Sequence, residues 1–207
     1  MFRLSAVALT CVLAAPLAAQ APAGWHERVD RSTSASDPDN TPDVKFVTMG
    51  PGFHVTTGPA VTLWKNENTA SGAYTLKGRF RLVQPSGHNN YYGLVFGGSG
   101  LEGADQAYLY FLVGQNGSYI VKHRAGAATH DVQGRTPHES IVKPDDKGTS
   151  TNTLEVRVAA DKIDYVINGT VVHSTPKAGM SARTDGTWGM RVNHQLEVHV
   201  DQLAVTK

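Results

Sequence analysis

The sequence predicts an all-β protein built as a two-sheet antiparallel β-sandwich. From Val44 onward, short segments of alternating, β-branched and aromatic residues follow one another. Glycine, asparagine, aspartate and proline separate these segments, as expected for turns. No stretch of this region has a convincing helical period. Many short strands at such spacing are typical of a sandwich or jelly roll.

The first residues have the composition of a cleavable secretion signal. Arg3 precedes an apolar run from Leu4 to Leu17, and alanines follow where a signal peptidase would cut. We therefore expect residues 1–19 to be removed and the protein to be exported, either to the periplasm or out of the cell. The apolar run is shorter than the roughly 20 residues that span a bilayer, so no membrane span is expected.

Cys11 lies inside this signal, so the mature chain would contain no cysteine and would be stabilised by its core alone. A lipid anchor on Cys11 is the alternative, and it would leave an unusually short signal before it. The sequence has 19 lysines and arginines against 18 acidic residues, and loss of Arg3 with the signal would leave no net charge. This balance does not support a general attraction to nucleic acid or to an anionic membrane.

The rest of the chain is predicted to form an N-terminal arm and one domain. The arm or linker covers 20–43, because the stretch from Arg31 to Pro42 is polar, contains proline and has no apolar residue larger than alanine. The β-sandwich domain covers 44–207. After cleavage the chain has roughly 185 residues, which is enough to bury one core.

Turn residues divide this domain into strands. Asn168-Gly169 marks a tight hairpin, and Gln115-Asn116-Gly117 marks another. The run from Ala125 to Ser150 has few large apolar residues, so we expect a long loop there, and long loops often border binding sites. The predicted strands are 45–49, 53–56, 60–64, 74–83, 91–96, 107–113, 118–124, 153–159, 162–167, 170–173, 187–193 and 196–205.

Several segments share the pattern of a known superfamily. They are TMGPGFHVTTGPAVTLW (48–64), YTLKGRF (74–80), YYGLVFGG (91–98), GSYIVKHRAG (117–126), NTLEVRV (152–158) and GMRVNHQLEVHVDQLAV (189–205). Together they resemble the concanavalin A-like lectin/glucanase superfamily, and within it the secreted bacterial jelly-roll domains called 3-keto-disaccharide hydrolase-like. The GIFLR strand of that group stands here as Gly93 to Gly97, with glycine in place of the arginine. The ExDxE strand of the related glucanases does not occur.

The resemblance implies a concave sheet on which superfamily members bind sugars, formed here by the strands near 91–96, 107–113, 118–124 and 187–193. Period-two alternation then sorts the side chains of these strands into two sets. The core set is Leu94, Phe96, Leu109, Phe111, Tyr119, Val121, Trp188, Met190 and Val192. The set on the concave face is Tyr91, Val95, Tyr108, Tyr110, Lys122, Arg124, Arg191 and Asn193.

This second set favours binding of a glycan. Tyrosine rings can stack on sugars, and the cations and the amide can hold hydroxyls or a sugar carboxylate, so the glycan could be acidic. The set contains no carboxylate and therefore no general acid. The alternative is that the tyrosines only cover a sheet while the cations form surface ion pairs.

Two other functions stay open at this point. One is a glycoside hydrolase-like enzyme that takes its acids from loops, with Glu102, Asp105, Asp131 and Glu139 as candidates. The other is a structural or adhesion protein of the envelope or extracellular matrix, in which the sandwich is only a scaffold. Fold alone does not rank these possibilities.

The resemblance also implies a structural calcium ion, because superfamily members often hold one with an aspartate of the final strand, and Asp201 resembles that position. Calcium needs six or more oxygen ligands, and the sequence offers only this one. The competing interpretation places Asp201 in a charge pair, since mixed charges on neighbouring strands pair across them. No close pair of histidines has the spacing of a zinc site.

Overall fold

The computed structural model describes residues 22–207, which form two antiparallel sheets of seven strands each, packed as a sandwich. The predicted fold class is therefore confirmed. The predicted signal at 1–19 lies outside the described residues. Within the described part of the chain, no helix is long and apolar enough to cross a membrane.

The strands and their order define a front sheet and a back sheet. The strands are β1 (Trp25–Asp30), β2 (Lys45–Met49), β3 (Gly52–Thr56), β4 (Ala60–Ala70), β5 (Tyr74–Gln84), β6 (Tyr91–Ser99), β7 (Ala107–Gly114), β8 (Ser118–Ala125), β9 (Ala128–Pro137), β10 (Ser150–Val158), β11 (Lys162–Ile167), β12 (Thr170–Pro176), β13 (Gly186–Val192) and β14 (Glu197–Thr206). The front sheet has the order β1-β4-β13-β6-β7-β8-β9. The back sheet has the order β12-β11-β10-β5-β14-β3-β2. Single 3₁₀ turns occur at Pro38–Asn40 and Gly179–Ser181.

The main core lies between the two sheets and follows the predicted alternation. On β7, Leu109, Phe111 and Val113 point into it and are fully buried. The ring of Phe111 lies 5.2 Å from that of Tyr165 on β11, so it joins the front sheet to the back sheet. The predicted core set is confirmed, with eight of its members buried in this cluster and Trp188 packed partly buried against it.

Two stretches form strands where the sequence predicted none. The predicted arm at 20–43 contains β1, which pairs with β4 as an edge strand, so the sandwich begins before the predicted boundary at residue 44. The predicted loop at 125–150 contains β9, which pairs with β8 at the opposite edge. Both strands are polar because an edge strand exposes much of its surface and needs few apolar residues. β1 packs only Trp25 and Val29 against the core, and β9 packs only Val132.

The outer face of the back sheet is covered with ion pairs, as the sequence predicted. Lys77 and Arg157 both lie within 3.4 Å of the Glu155 carboxylate, and Lys162 lies 2.9 Å from Asp164. The pair of Lys77 with Glu155 joins neighbouring strands, whereas the other two lie along one strand, and all of them keep the sheet face hydrated.

Asp201 belongs to this set of ion pairs. Arg79 donates from Nε and Nη2 to its two carboxylate oxygens, at 2.7 and 2.6 Å. Both oxygens that calcium would use are therefore bound to a guanidinium. Among residues 22–207, no group of three or more His, Cys, Asp or Glu side chains is arranged as metal ligands. The structure thus has the charge pair that competed with the calcium site.

We expect Asp201→Asn to lower the free energy of unfolding modestly at pH 7, and less at low pH. The hydrogen bonds from Arg79 lower the pKa of Asp201, so the stabilisation is complete above the unfolded-state pKa and is lost as pH falls through the folded-state pKa. Urea unfolding of wild type and variant between pH 7 and pH 2 measures this difference. A difference that stays constant to pH 2 would contradict the assignment. Asp146→Asn is the control, since Asp146 makes no ion pair within the described residues.

Candidate functional site

The front face is the surface of the front sheet that points away from the core. The residues predicted for the concave face meet here because they alternate with core residues on neighbouring strands: Tyr110 on β7 lies opposite Lys122 on β8, and Tyr108 lies opposite Arg124. Lys122 in turn pairs with Asp131 of β9 at 2.9 Å. The structure therefore brings together on this face Tyr91, Tyr108, Tyr110, Lys122, Arg124, Arg191 and Asn193.

The three tyrosines are buried on this face and do not form an open stacking surface. Tyr91, Tyr108 and Tyr110 are 5%, 2% and 6% exposed. They belong to a second apolar cluster, which Leu101 joins from the loop after β6. Burial raises the pKa of Tyr110 to about 12, so its hydroxyl stays protonated at neutral pH. The tyrosines are therefore the floor of the site.

Arg191 of β13 is the most deeply buried cation of the front face, with a side chain only 10% exposed. Its Nη1 donates to Thr62 Oγ1 at 2.8 Å and to the Tyr108 hydroxyl at 3.3 Å, while Nε donates to Asn193 Oδ1 at 3.1 Å. The guanidinium carbon lies 5.8 Å from the centre of the Tyr110 ring. Although burial opposes the charge of Arg191, its tyrosine and aspartate neighbours raise its pKa, so it remains a cation.

Asp30 provides a carboxylate that the sequence analysis did not place on this face. Its Oδ2 lies 2.8 Å from Arg191 Nη1, and its Oδ1 lies 3.7 Å from Arg28 Nε and 3.9 Å from Arg124 Nη2. We call Arg28, Arg124 and Arg191 the arginine cluster. The expectation that this face lacks a carboxylate was wrong, because Asp30 lies on β1, within the predicted arm.

The two other arginines are held by backbone carbonyls of loops. Arg28 donates from Nη1 to the carbonyl of Gly103 at 2.8 Å, and Arg124 donates from Nε to the carbonyl of Gly126 at 2.7 Å. Within residues 22–207, the terminal nitrogens of Arg124 donate no hydrogen bond, and neither does Nη2 of Arg191. These nitrogens lie on one face of the sheet and are the donors that a ligand could use.

The charges of the cluster do not balance. Three guanidinium groups surround one carboxylate, which leaves an excess of two positive charges within the cluster. The Lys122–Asp131 pair beside them is neutral as a whole. Half-buried positive charge attracts an anion more strongly than the same charge exposed to solvent, because the surrounding protein screens charge less than water does.

Two of the acids that were candidates for loop-based catalysis, Glu102 and Asp131, lie towards opposite edges of the front sheet. Glu102 pairs with His26 on edge strand β1, at 3.0 Å, whereas Asp131 pairs with Lys122 beside the opposite edge. Asp105 lies in the β6–β7 loop and Glu139 in the β9–β10 loop. Glu102 and Asp131 therefore do not form the close pair that glycoside hydrolysis requires.

The fold and the front face together define the protein as a two-sheet antiparallel β-sandwich with a positively charged face that tyrosines line. A carbohydrate-binding module, CBM66 from Bacillus subtilis, matches it with a TM-score of 0.61 at 10% identity, over 89% of this chain and 96% of that one. A Bacillus subtilis protein of unknown function with a galectin-like fold matches with a TM-score of 0.59 at 12% identity, over 87% and 88% of the chains. Alginate lyase A1-II′, of polysaccharide lyase family 7, matches with a TM-score of 0.52 at 16% identity, over 78% and 82%.

These similarities concern the fold, since all three identities are low. No family model matches this sequence, and a search of curated protein sequences found no significant match.

Sequence reasoning missed Arg28, Asp30 and Thr62. A signal for the first two exists in the segment WHERVD, where Trp25 and Val29 share one parity and His26, Arg28 and Asp30 share the other. This alternation predicts a strand with one polar face. Thr62 lies on a predicted strand, and its role depends on Arg191 reaching it from β13, which the sequence does not show.

Proposed function

We propose that the protein binds an acidic saccharide on its front face, around the arginine cluster. The observation that carries the proposal is the half-buried excess of two positive charges in the arginine cluster, with guanidinium donors left free beside hydroxyl and amide groups. Arginine forks bind carboxylate or sulfate groups through paired hydrogen bonds. Tyr110 and Asn193 add a hydroxyl and an amide group of the kind that hold sugar hydroxyls.

The structural neighbours support a saccharide as the ligand. One is a carbohydrate-binding module and another an alginate lyase, both with TM-scores above 0.5. They are proteins of the same fold with a saccharide-related role. The charge of the front face, in turn, favours an acidic saccharide over a neutral one.

Export is part of the proposal. A signal at residues 1–19, once removed, would deliver the domain to the periplasm or the cell exterior, where glycans are abundant. Mass spectrometry of the native protein should find an N terminus near residue 20, and an uncleaved N terminus would contradict it.

The test is calorimetry of the mature protein with matched oligosaccharides that are neutral, carboxylated or sulfated. We expect the carboxylated or sulfated members to bind and the neutral ones to bind at least tenfold more weakly. Arg124→Ala should weaken acidic binding by about tenfold, the loss of one charge-assisted contact. The matched control is Arg157→Ala, which removes the same charge from the back sheet, where Arg157 pairs with Glu155.

Two results would contradict the proposal. One is the absence of binding to every acidic saccharide in the series. The other is an equal loss in Arg124→Ala and Arg157→Ala, because that would show a dependence on overall charge and not on the front face.

A further inference from the structure

We propose that Asp30 is an internal counter-ion that occupies the anion position of the arginine cluster, and that it weakens the binding of acidic ligands there. This inference rests on the proposed function and adds a residue that sets the affinity and the charge selectivity of the site. It predicts that removing one negative charge improves binding, and this separates Asp30 from an ordinary ligand-binding residue.

The first support is the poor geometry of the Asp30 carboxylate. Although Oδ2 lies 2.8 Å from Arg191 Nη1, it is buried without a hydrogen bond of acceptable angle. Oδ1 lies 3.7 and 3.9 Å from two further guanidinium groups, beyond hydrogen-bond distance. In contrast, Asp201 on the back sheet forms a bidentate pair with Arg79 at 2.7 and 2.6 Å. Asp30 therefore neutralises charge without satisfying the donors around it.

The second support is that the arginines are held by other groups. Carbonyls of Gly103 and Gly126 fix Arg28 and Arg124. Arg191 is fixed by hydrogen bonds to Thr62, Tyr108 and Asn193. The cluster therefore does not depend on Asp30 for its arrangement, and the carboxylate can be neutralised without dispersing the donors.

The third support is the position of Asp30 in the chain. It is the last residue of β1, which among residues 22–207 pairs with β4 alone, and it lies opposite Ala60 at the end of the ladder. After it the chain leaves the sheet for the irregular stretch that begins at Arg31. A carboxylate at the end of an edge strand can shift as an anion enters, because no further ladder bonds follow it.

A ligand anion seated between Arg124 and Arg191 would lie beside the Asp30 carboxylate. Like charges so close in a partly buried site oppose each other. The ligand must therefore bind against this repulsion or move the side chain away. A neutral saccharide meets no such opposition, so Asp30 reduces the preference of the site for acidic ligands.

The test is Asp30→Asn, which keeps the shape of the side chain and removes its charge. We expect this variant to bind carboxylated or sulfated oligosaccharides about tenfold more tightly than wild type, with a steeper dependence on salt. Its affinity for neutral oligosaccharides should not change. Asp30→Glu keeps the charge and should show no such gain, and thermal unfolding of both variants tests whether they are folded.

The matched control is Asp164→Asn, which removes the same charge from the back sheet, where Asp164 pairs with Lys162. An equal gain in this control would overturn the inference, since general charge would then explain both. If wild type binds an acidic saccharide and Asp30→Asn binds it no more tightly, the inference about Asp30 is wrong, while the proposed function is not contradicted. If neither wild type nor Asp30→Asn binds any acidic saccharide, the proposed function fails, and the inference fails with it.

Discussion

Replacing Arg191 with methionine should abolish binding of acidic saccharides and lower the free energy of unfolding by about 3 kcal/mol. Methionine has a similar length but no donors, so Thr62 and Asn193 lose their hydrogen bonds from Arg191, and Asp30 loses its nearest cation. This loss of stability lies at the lower end of the range for breaking a buried ion pair, because the Asp30 side chain is 21% exposed. Chemical denaturation measures the stability, and calorimetry measures the binding.

Two further variants separate charge from geometry at this position. Arg191→Lys retains the charge but not the planar fork, so it should recover part of the binding of Arg191→Met. The double variant Arg191→Met/Asp30→Asn removes both partners and should recover much of the lost stability while binding stays absent. If the double variant is no more stable than Arg191→Met alone, the ion pair is not the source of the destabilisation.

The second large effect concerns the core. Phe111→Ala should lower the free energy of unfolding by about 3–5 kcal/mol, the usual cost of truncating a fully buried phenylalanine. Phe111 contacts Tyr165 of the back sheet and Tyr119 of its own sheet, with ring centres 5.2 and 6.1 Å away, so the cavity would lie between the two layers. Urea unfolding monitored by tryptophan fluorescence measures the loss.

The same variant tests the separation of core and site. Phe111 points into the core, whereas its neighbour Tyr110 lies in the cluster on the front face. Saccharide affinity, measured well below the unfolding midpoint, should therefore stay within about twofold of wild type. Phe111→Leu is the control for stability and should cost much less. A large loss of affinity in folded Phe111→Ala would show that the front face depends on packing behind it.

The fold could be predicted because period-two alternation is a local property of the chain. Strands such as 162–167 lie where the residue pattern placed them, and the core set on four strands was sorted correctly. The edge strands β1 and β9 were not found, since each carries too few apolar residues to show that pattern. Their places in the sheet come from pairing with β4 and β8, which supply the hydrogen bonds.

The site could be predicted only in part, for the same reason. The alternation on β7, β8 and β13 identifies Tyr108, Arg124 and Arg191 as neighbours on one face. It does not indicate that Asp30 joins them, because that contact depends on strands distant in sequence. The burial of the tyrosines was also missed, since a loop contributes Leu101 to their cluster and alternation describes only strands.

The position of β1 has a consequence for the order of folding. Asp30 comes from the first strand of the front sheet and Arg191 from the thirteenth strand of the chain, so their contact spans a sequence separation of nearly the whole domain. Contacts of such high contact order form late, after the loop-closure entropy has been overcome. A ligand held by Arg28 of β1 and Arg191 of β13 would bind only those molecules in which these two distant strands have already come together. By linkage it would stabilise the completely folded state alone, leaving partly assembled sandwiches unaffected.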